Sequence, residues 1–243
     1  MSRDLEPLSP YARSLSDFFA GDEAATLVVH SSLGEHDELP VAVFFRGEED
    51  FFPFEVAALE LCRGRVLDGG AGTGVHALAL QQRGLKVRAI DVLPEATEIM
   101  RRRGVHDVSC GDIFELQGGR FDTVLLLLNG IGPVGTLRNL RRFFECAGRL
   151  LAPGGQVLVD SAEAEMAEPL AGDRWEWPPP TREAYAGEAW IRLEYDGALG
   201  SPFRELYLDA ETLAMQARRH GWLCELAFTD EARGYLARLR PAA

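Results

Sequence analysis

A glycine-rich turn between a predicted strand and a predicted helix constrains the fold of this 243-residue chain more than any other feature. Residues 66–74 read VLDGGAGTG, and the segment 75–83 has the apolar spacing of a helix that ends at Gly84. Glycines at this density let the backbone turn sharply and approach a ligand without interference from Cβ atoms. The order of strand, tight turn and helix therefore predicts a βαβ unit with a nucleotide-like ligand at the turn.

The segments that follow continue the alternation of strand and helix. Strands are predicted at 87–91, around Val108, at 121–128 and at 156–160, and helices at 94–103 and 137–151. The apolar run at 121–128 is typical of a strand that is buried on both faces. Together these elements predict an α/β fold, a doubly wound and mostly parallel sheet with helices on both sides.

The pattern changes after residue 161. Residues 162–183 contain a Trp-Glu-Trp segment followed by three prolines, which argues against a regular element there. Beyond this segment we predict an antiparallel hairpin formed by 190–195 and 204–208. A helix is predicted at 211–220, and a closing hairpin is predicted from 223–229 and 235–239.

The carboxylate of Asp68, directly in front of the turn, narrows the choice of ligand. A dinucleotide places its pyrophosphate against the helix N-terminus, where a preceding carboxylate would repel it. S-adenosylmethionine carries no phosphate, and its methionine end bears an ammonium group that a carboxylate at the strand tip can receive. Asp91 ends the second strand, where it can accept hydrogen bonds from both ribose hydroxyls. Asp112 follows the third strand and is placed to receive the adenine amino group, with Ile113 packed on the ring.

With these motifs in this order, the chain resembles the class I S-adenosylmethionine-dependent methyltransferase family. The resemblance is carried by residues 66–74, 89–91, 111–112 and 150–155, and by element order it covers roughly 65–241. It implies a seven-stranded sheet whose last strand is antiparallel. It also implies which residues bind the cofactor: Asp68, Gly70 and Gly72 at the methionine end, Asp91 at the ribose and Asp112 at the adenine.

On this reading the chain has three parts. Residues 1–60 form an N-terminal cap or lid, predicted to be helical, in which most of the clustered phenylalanines pack in a core. Residues 61–161 and 210–243 form the Rossmann-like core that binds the cofactor. Residues 162–209 are an inserted loop and hairpin that form a second cap.

Two other functions remain open. Residues 72–77 match the G-x-G-x-x-A form of the dinucleotide fingerprint, so an NAD(P)-dependent oxidoreductase is the first alternative. The second is a protein that binds S-adenosylmethionine without turning it over. We favour the methyltransferase because Asp68 disfavours a pyrophosphate and because the elements after residue 160 fit that family better.

The methyl acceptor is less well defined than the cofactor. Methyl transfer from a sulfonium is an in-line displacement that is accelerated largely by alignment and exclusion of water, so no catalytic residue is assigned. The family's Asn/Asp-Pro-Pro-aromatic motif for base or amide nitrogens is replaced here by LNGIG at 128–132, which favours a small-molecule acceptor. Asn129 lies at the sheet edge where ligands of such folds bind, and it either contacts the cofactor or bonds the local backbone at the end of its strand.

Other candidate residues carry weaker signals. His30 and His36 precede the sheet and are possible general bases, although no histidine has metal-ligand spacing and no metal is expected. Arg46 is expected to form a surface salt bridge rather than to bind an anionic acceptor. Trp175 and Trp177 either close over an acceptor or pack within the cap.

Composition limits the partners and the compartment. The formal net charge of −13 disfavours nucleic acid, because phosphate binding needs clustered Lys and Arg. The four cysteines form no Cys-x-x-Cys pair, so neither zinc nor a disulfide framework is indicated and a reducing cytoplasm is expected. No apolar stretch is long enough for a membrane span, and no signal segment is recognisable. The sequence does not indicate an oligomeric state.

Overall fold

The computed structural model describes residues 4–34, 36–164, 177–179, 184–231 and 233–242. Its helices are α1 (Ser9–Ala20), α2 (Pro53–Leu61), α3 (Val75–Gln82), α4 (Pro94–Arg103), α5 (Leu140–Leu150) and α6 (Ala210–Arg219). Its strands are β1 (Thr26–Ser31), β2 (His36–Pro40), β3 (Arg65–Gly69), β4 (Lys86–Asp91), β5 (Asp107–Cys110), β6 (Phe121–Leu126), β7 (Leu151–Ala162), β8 (Glu188–Tyr195), β9 (Ala198–Leu199), β10 (Phe203–Leu206), β11 (Trp222–Thr229) and β12 (Gly234–Pro241).

The larger of two sheets has seven strands in the order β11-β12-β7-β6-β3-β4-β5. Neighbouring strands within this sheet pair in parallel, except that the last strand of the chain, β12, is antiparallel to both β7 and β11. Buried side chains of α5 and α6 pack on one face, whereas those of α2 and α3 pack in a separate apolar cluster. The prediction of a doubly wound, mostly parallel seven-stranded sheet with an antiparallel last strand is therefore confirmed.

The smaller sheet is antiparallel and has the order β10-β8-β1-β2, with β9 paired to β8. The predicted hairpin in the inserted segment is present as β8 and β10. The N-terminal segment has the expected helices α1 and α2, but it also contributes β1 and β2, which the sequence analysis did not foresee. Strand β1 pairs with β8, which lies far away in the chain, as in the register of Val28 with Glu194, and β2 pairs with β1 at the edge of the sheet; local sequence carries no signal for such a distant partner.

The smaller sheet is attached to the larger one through a third apolar cluster. Leu15 of α1, Ile99 of α4 and Ile191 of β8 are buried together in this cluster. Helix α1 thus packs on α4 beside the smaller sheet, which brings β10 close to the carboxyl ends of the parallel strands. In the part of the chain that the structure describes, no helix is both long enough and apolar enough to cross a membrane.

Candidate functional site

A cleft lies where the carboxyl ends of the parallel strands face the smaller sheet. It has about 1080 Å³ of empty space, part of which is open to solvent. Of the residues predicted to bind the cofactor, it is lined by Gly70, Asp91, Asp112, Ile113 and Asn129. A ligand at this edge is the general expectation for an open α/β sheet. The other two predicted residues, Asp68 and Gly72, lie just behind the lining.

The glycine-rich turn adopts a backbone that side chains would strain. Gly70 and Gly72 have φ of +69° and +53°, the left-handed region that favours glycine. The amide of Gly70 donates to the carbonyl of Ile90 at 2.9 Å, which ties the turn to β4. A Cβ added at Gly70 would meet no atom within 4 Å, because it would project into the open cleft. The turn therefore leaves a smooth backbone surface for a ligand.

Asp91 fastens the turn to the start of α4 and also faces the cleft. Its Oδ2 accepts from the amide of Gly72 at 2.8 Å, and its Oδ1 accepts from the amide of Leu93 at 2.9 Å. Only 7% of Asp91 is exposed. The two amides fix the orientation of this carboxylate toward the cleft before any ligand arrives.

Asp68 is almost completely buried, with 2% exposure, directly behind the turn. Its Oδ2 has no hydrogen-bond partner among the described residues. Burial raises the pKa of Asp68 to about 6, the charge of Asp91 adds to this rise, and His76 and the amide of Ala77 oppose it. A buried carboxylate oxygen without a partner is costly, and a nearby cationic group or an ordered water would stabilise it.

Asp112 and Ile113 form the wall of the cleft beyond β5. The Oδ1 of Asp112 accepts from the amide of Phe114 at 2.9 Å and caps a short 3₁₀ turn, Ile113–Glu115. The Cδ1 atom of Ile113 lies so close to Gly69 that a Cβ there would come within 2.6 Å of it. The apolar side chain of Ile113 is thus held at the strand ends, where a flat ring can pack.

Asn129 follows β6 and is held by side chains from other elements. Its φ is +58°, and its amide donates to Oδ2 of Asp160 at 3.0 Å. The side-chain Oδ1 accepts from the hydroxyl of Ser161 at 3.2 Å, and Nδ2 donates to Oε2 of Glu205 at 3.3 Å. The sequence allows two roles for Asn129, a bond to the local backbone or a contact with the cofactor. Its side chain bonds to distant side chains and lines the cleft.

Two carboxylates near Asn129, the buried Asp160 and the half-buried Glu205, were not predicted as site residues. Asp160, at the carboxyl end of β7, accepts the amides of Asn129 and Gly130, and burial raises its pKa although both amides oppose the rise. Glu205, on β10, lines the cleft, and burial raises its pKa against the opposing hydrogen bond from Asn129. The position of Asp160 at a strand end was a usable sequence signal. Glu205 had none, because it occupies one polar position in an alternating hairpin.

The N-terminal segment is locked onto the turn by a buried ionic network. Glu55 of α2 is fully buried, and its carboxylate bonds to the guanidinium of Arg46 and, at 2.6 Å, to Nε2 of His76 in α3. The prediction of a surface salt bridge for Arg46 is therefore wrong, since its side chain is only 7% exposed. The guanidinium of Arg46 also stacks on Phe52, 4.8 Å from the ring centroid, and this contact helps to shield it from solvent.

Further contacts bring the N-terminal segment over the turn itself. The hydroxyl of Thr73 donates to the carbonyl of Phe44, and the guanidinium of Arg103 donates to the carbonyls of Thr73 and Phe45 at 2.9 and 3.1 Å. The hydroxyl of Tyr11 would lie 3.4 Å from a Cβ added at Gly72. Burial, with the nearby charge of Asp91, raises the pKa of the Tyr11 hydroxyl. The phenol therefore stays neutral.

The remaining candidates lie away from the cleft or outside the described residues. His30 bonds Glu194 within the smaller sheet at 2.9 Å and does not line the cleft. Trp177 has a buried indole nitrogen without a hydrogen-bond partner among the described residues. The side chain of His36 and the whole of Trp175 fall outside them. Within the described ranges, no group of three or more His, Cys, Asp or Glu side chains is arranged to hold a metal ion.

The fold and the cleft together define the chain as a Rossmann-like protein of the class I methyltransferase type. Residues 50–192 match the model of a family described as a methyltransferase domain, and the chain belongs to this family. It is 36% identical, with a TM-score of 0.85, to an S-adenosylmethionine-dependent methyltransferase from Bacteroides fragilis that was crystallised with S-adenosylhomocysteine. That similarity covers 100% of this chain and 98% of the other.

Two further relatives are more distant. The CcbJ methyltransferase from Streptomyces caelestis is 20% identical with a TM-score of 0.57, covers 78% of this chain and 89% of its own, and shares the fold. The ubiquinone biosynthesis O-methyltransferase of Xanthomonas oryzae pv. oryzae (strain PXO99A) is 32% identical over 116 residues. That alignment covers 43% of this chain and 46% of the other protein, so the chain matches about half the length of this curated relative.

Proposed function

We propose that the protein is an S-adenosylmethionine-dependent methyltransferase that acts on a small-molecule acceptor. The observation that carries this proposal is the convergence of the turn glycine Gly70, the strand-end carboxylate Asp91 and the Asp112-Ile113 wall on one cleft. Support also comes from the Bacteroides fragilis relative, which matches the whole chain and was crystallised with S-adenosylhomocysteine.

The residues around the turn fit the chemistry of this cofactor. The unpartnered Oδ2 of Asp68 offers a negative site for the methionine ammonium, directly or through one water. Asp91, already oriented by two amides, would hold the ribose hydroxyls. Asp112 and Ile113 would hold the adenine, and the open surface at Gly70 admits the ligand without a Cβ clash.

The chain itself would contribute mainly alignment and exclusion of water. When bound, S-adenosylmethionine would supply an electrophilic methyl group on a sulfonium: an acceptor lone pair would attack the methyl carbon in line, the bond from that carbon to sulfur would break, and the sulfur would leave as the neutral thioether of S-adenosylhomocysteine. Leu8, directly before α1, and Phe203 to Glu205 of the smaller sheet line one side of the cleft, where an acceptor would be held out of water. We propose that 1–60 and 162–209 serve as caps on a cofactor-binding core formed by 61–161 and 210–243.

The oxidoreductase alternative is disfavoured by charge. A dinucleotide pyrophosphate at this turn would approach both Asp68 and Asp91, which are buried carboxylates that interact with each other. The net charge of −13 also disfavours nucleic acid as the acceptor. The four cysteines are free in the structure, which supports a site of action in the reducing cytoplasm.

Calorimetric titration separates these functions. We expect S-adenosylmethionine and S-adenosylhomocysteine to bind and NAD not to bind, since only the first two lack phosphate. Equal or tighter binding of NAD would reject the methyltransferase. Formation of S-adenosylhomocysteine on incubation with acceptor mixtures distinguishes an enzyme from a protein that only binds the cofactor. The variant Asp196→Asn, in an exposed turn with φ of +50° that asparagine tolerates, serves as a control that should bind normally.

A further inference from the structure

The carboxylate of Glu205 is held in the cleft by a relay of hydrogen bonds between the two sheets. The amide of Leu208 donates to the hydroxyl of Ser161 at 3.1 Å, and that hydroxyl donates to Oδ1 of Asn129 at 3.2 Å. The Nδ2 of Asn129 then donates to Oε2 of Glu205 at 3.3 Å. Because each donor and acceptor in this series is used once, the amide of Asn129 and the carboxylate of Glu205 have defined orientations.

This carboxylate has no positive charge beside it among the described residues. The neighbouring cation, Arg204, is already bonded to Glu188 at 3.2 Å and stacks on Trp190 with 4.5 Å to the ring centroid. Among the described residues, the carboxylate of Glu205 accepts one hydrogen bond, from the neutral side-chain amide of Asn129. Across the relay, the other carboxyl group, that of Asp160, accepts the backbone amides of Asn129 and Gly130. This end of the cleft is therefore an electronegative spot that lacks a counter-ion.

The surrounding wall is mostly apolar. Leu128, Pro133, Phe143 and Phe203 line the same cleft as Glu205. A site built from an apolar wall and one uncompensated carboxylate is complementary to an apolar molecule that carries one ammonium group. A neutral alcohol of the same shape would fill the wall but would leave the charge of Glu205 without a partner.

We propose that Glu205 binds the amino group of the methyl acceptor and takes a proton from it, so that the acceptors are apolar primary or secondary amines. This inference rests on the proposed function and specifies its acceptor class. In the proton step, one N–H bond of the bound ammonium breaks and an O–H bond forms on Glu205. The electron pair of the broken bond stays on nitrogen as the lone pair that a nucleophile requires, and the carboxylate becomes a neutral carboxylic acid.

The test measures binding and does not depend on turnover. Wild-type protein is first saturated with S-adenosylhomocysteine and then titrated calorimetrically with benzylamine, cyclohexylamine and 2-phenylethylamine, each compared with the corresponding alcohol. We expect at least one amine to bind about tenfold more tightly than its alcohol, as a charged hydrogen bond predicts. In Glu205→Gln, which retains an oxygen for the amide of Asn129, this preference should fall to about one, because the amine loses its charged partner while the alcohol binds at least as tightly as it binds the wild type.

The matched control is Glu225→Gln, which removes an exposed carboxylate paired with Arg240 on the far edge strand and should keep the amine preference. Failure of all three amines to bind the wild-type complex, or an equal amine preference in Glu205→Gln, overturns the inference. The two proposals fail separately. If the wild-type protein does not bind S-adenosylhomocysteine in the first titration, the proposed function is rejected. If it binds S-adenosylhomocysteine but shows no preference for amines over alcohols, only the role of Glu205 is rejected.

Discussion

Replacing Glu55 with alanine should destabilise the protein far more than breaking an exposed ion pair. Glu55 is fully buried, and its carboxylate forms hydrogen bonds with the guanidinium of Arg46, the imidazole of His76 and the backbone amide of Phe52. Truncation leaves the guanidinium of Arg46, 7% exposed, without its counter-ion. Removing one partner of a buried pair costs about 3–5 kcal/mol, and we expect the lower end because Arg46 retains its bond to the carbonyl of Val43.

The assay is thermal unfolding together with urea unfolding at pH 7.5. A loss of about 3 kcal/mol corresponds to a decrease in Tm of roughly 6–12 °C for a chain of this size. The matched variant Glu145→Ala breaks an exposed pair with Arg141, 2.8 Å apart with both side chains more than half exposed, and should cost less than about 0.5 kcal/mol. Similar losses in the two variants would refute the view that burial makes the Glu55 network strong.

The same network predicts a direction with pH. Burial alone would raise the pKa of Glu55, but bonds from His76, Arg46 and the amide of Phe52 outweigh it and hold this pKa below its ordinary value. A lowered pKa contributes stability that is fully present above the unfolded value of about 4.3 and is lost as the pH falls through the folded value. The gap between the wild type and Glu55→Ala should therefore narrow when unfolding is measured below about pH 4.

Three further predictions concern the glycine-rich turn. Asp68→Asn should raise the stability of the ligand-free protein by about 3 kcal/mol at pH 7.5, because a pKa raised to about 6 makes the ionised group a cost that grows from about pH 4 to 6 and then stays constant; a pH-independent difference in Tm would contradict this. Asp91→Ala should weaken S-adenosylmethionine binding by roughly 1.5–3 kcal/mol in calorimetry, and unchanged affinity would remove Asp91 from the site. Gly70 and Gly84 have φ of +69° and +81°, with open space at the position of an added Cβ, so Gly70→Ala and Gly84→Ala should each lose about 1 kcal/mol of stability. Only Gly70→Ala should also weaken the binding of S-adenosylmethionine. Equal affinities of the two variants would show that the cofactor does not approach the turn.

Local patterns predicted the larger sheet and the cofactor end of the cleft. The turn at 66–74, the strand-end position of Asp91 and the wall residue Ile113 are each defined by a few neighbouring residues. Parallel strands joined by helices place their carboxyl ends at one edge, so the order of these motifs along the chain was enough to predict that they meet. The structure places Asp91 and Ile113 on one cleft, as that argument requires.

Burial of charge was not predictable in the same way. Arg46 has the local sequence of a surface residue, yet it is enclosed because α2, the turn and the N-terminal segment pack around Glu55. The pKa of Asp68 likewise depends on its burial by other segments, which excludes water, and on the nearby charged groups of Asp91 and His76. Such effects depend on the distances between distant segments, which the sequence does not contain.

The sequence by itself determined the fold class and the cofactor class, because helix periodicity, strand runs and glycine turns are local properties of the chain, and the number of strands in the sheet followed from the family resemblance that these motifs carry. Only the tertiary structure decided the end of the cleft at which we propose that the acceptor binds. The alternating pattern of β10 defines two faces but not a partner, and its position depends on β8 pairing with β1 more than 150 residues away, for example Leu193 with Val29. That non-local pairing brings Oε2 of Glu205 within 3.3 Å of Nδ2 of Asn129, and the local sequence around Glu205 gives no signal for this contact.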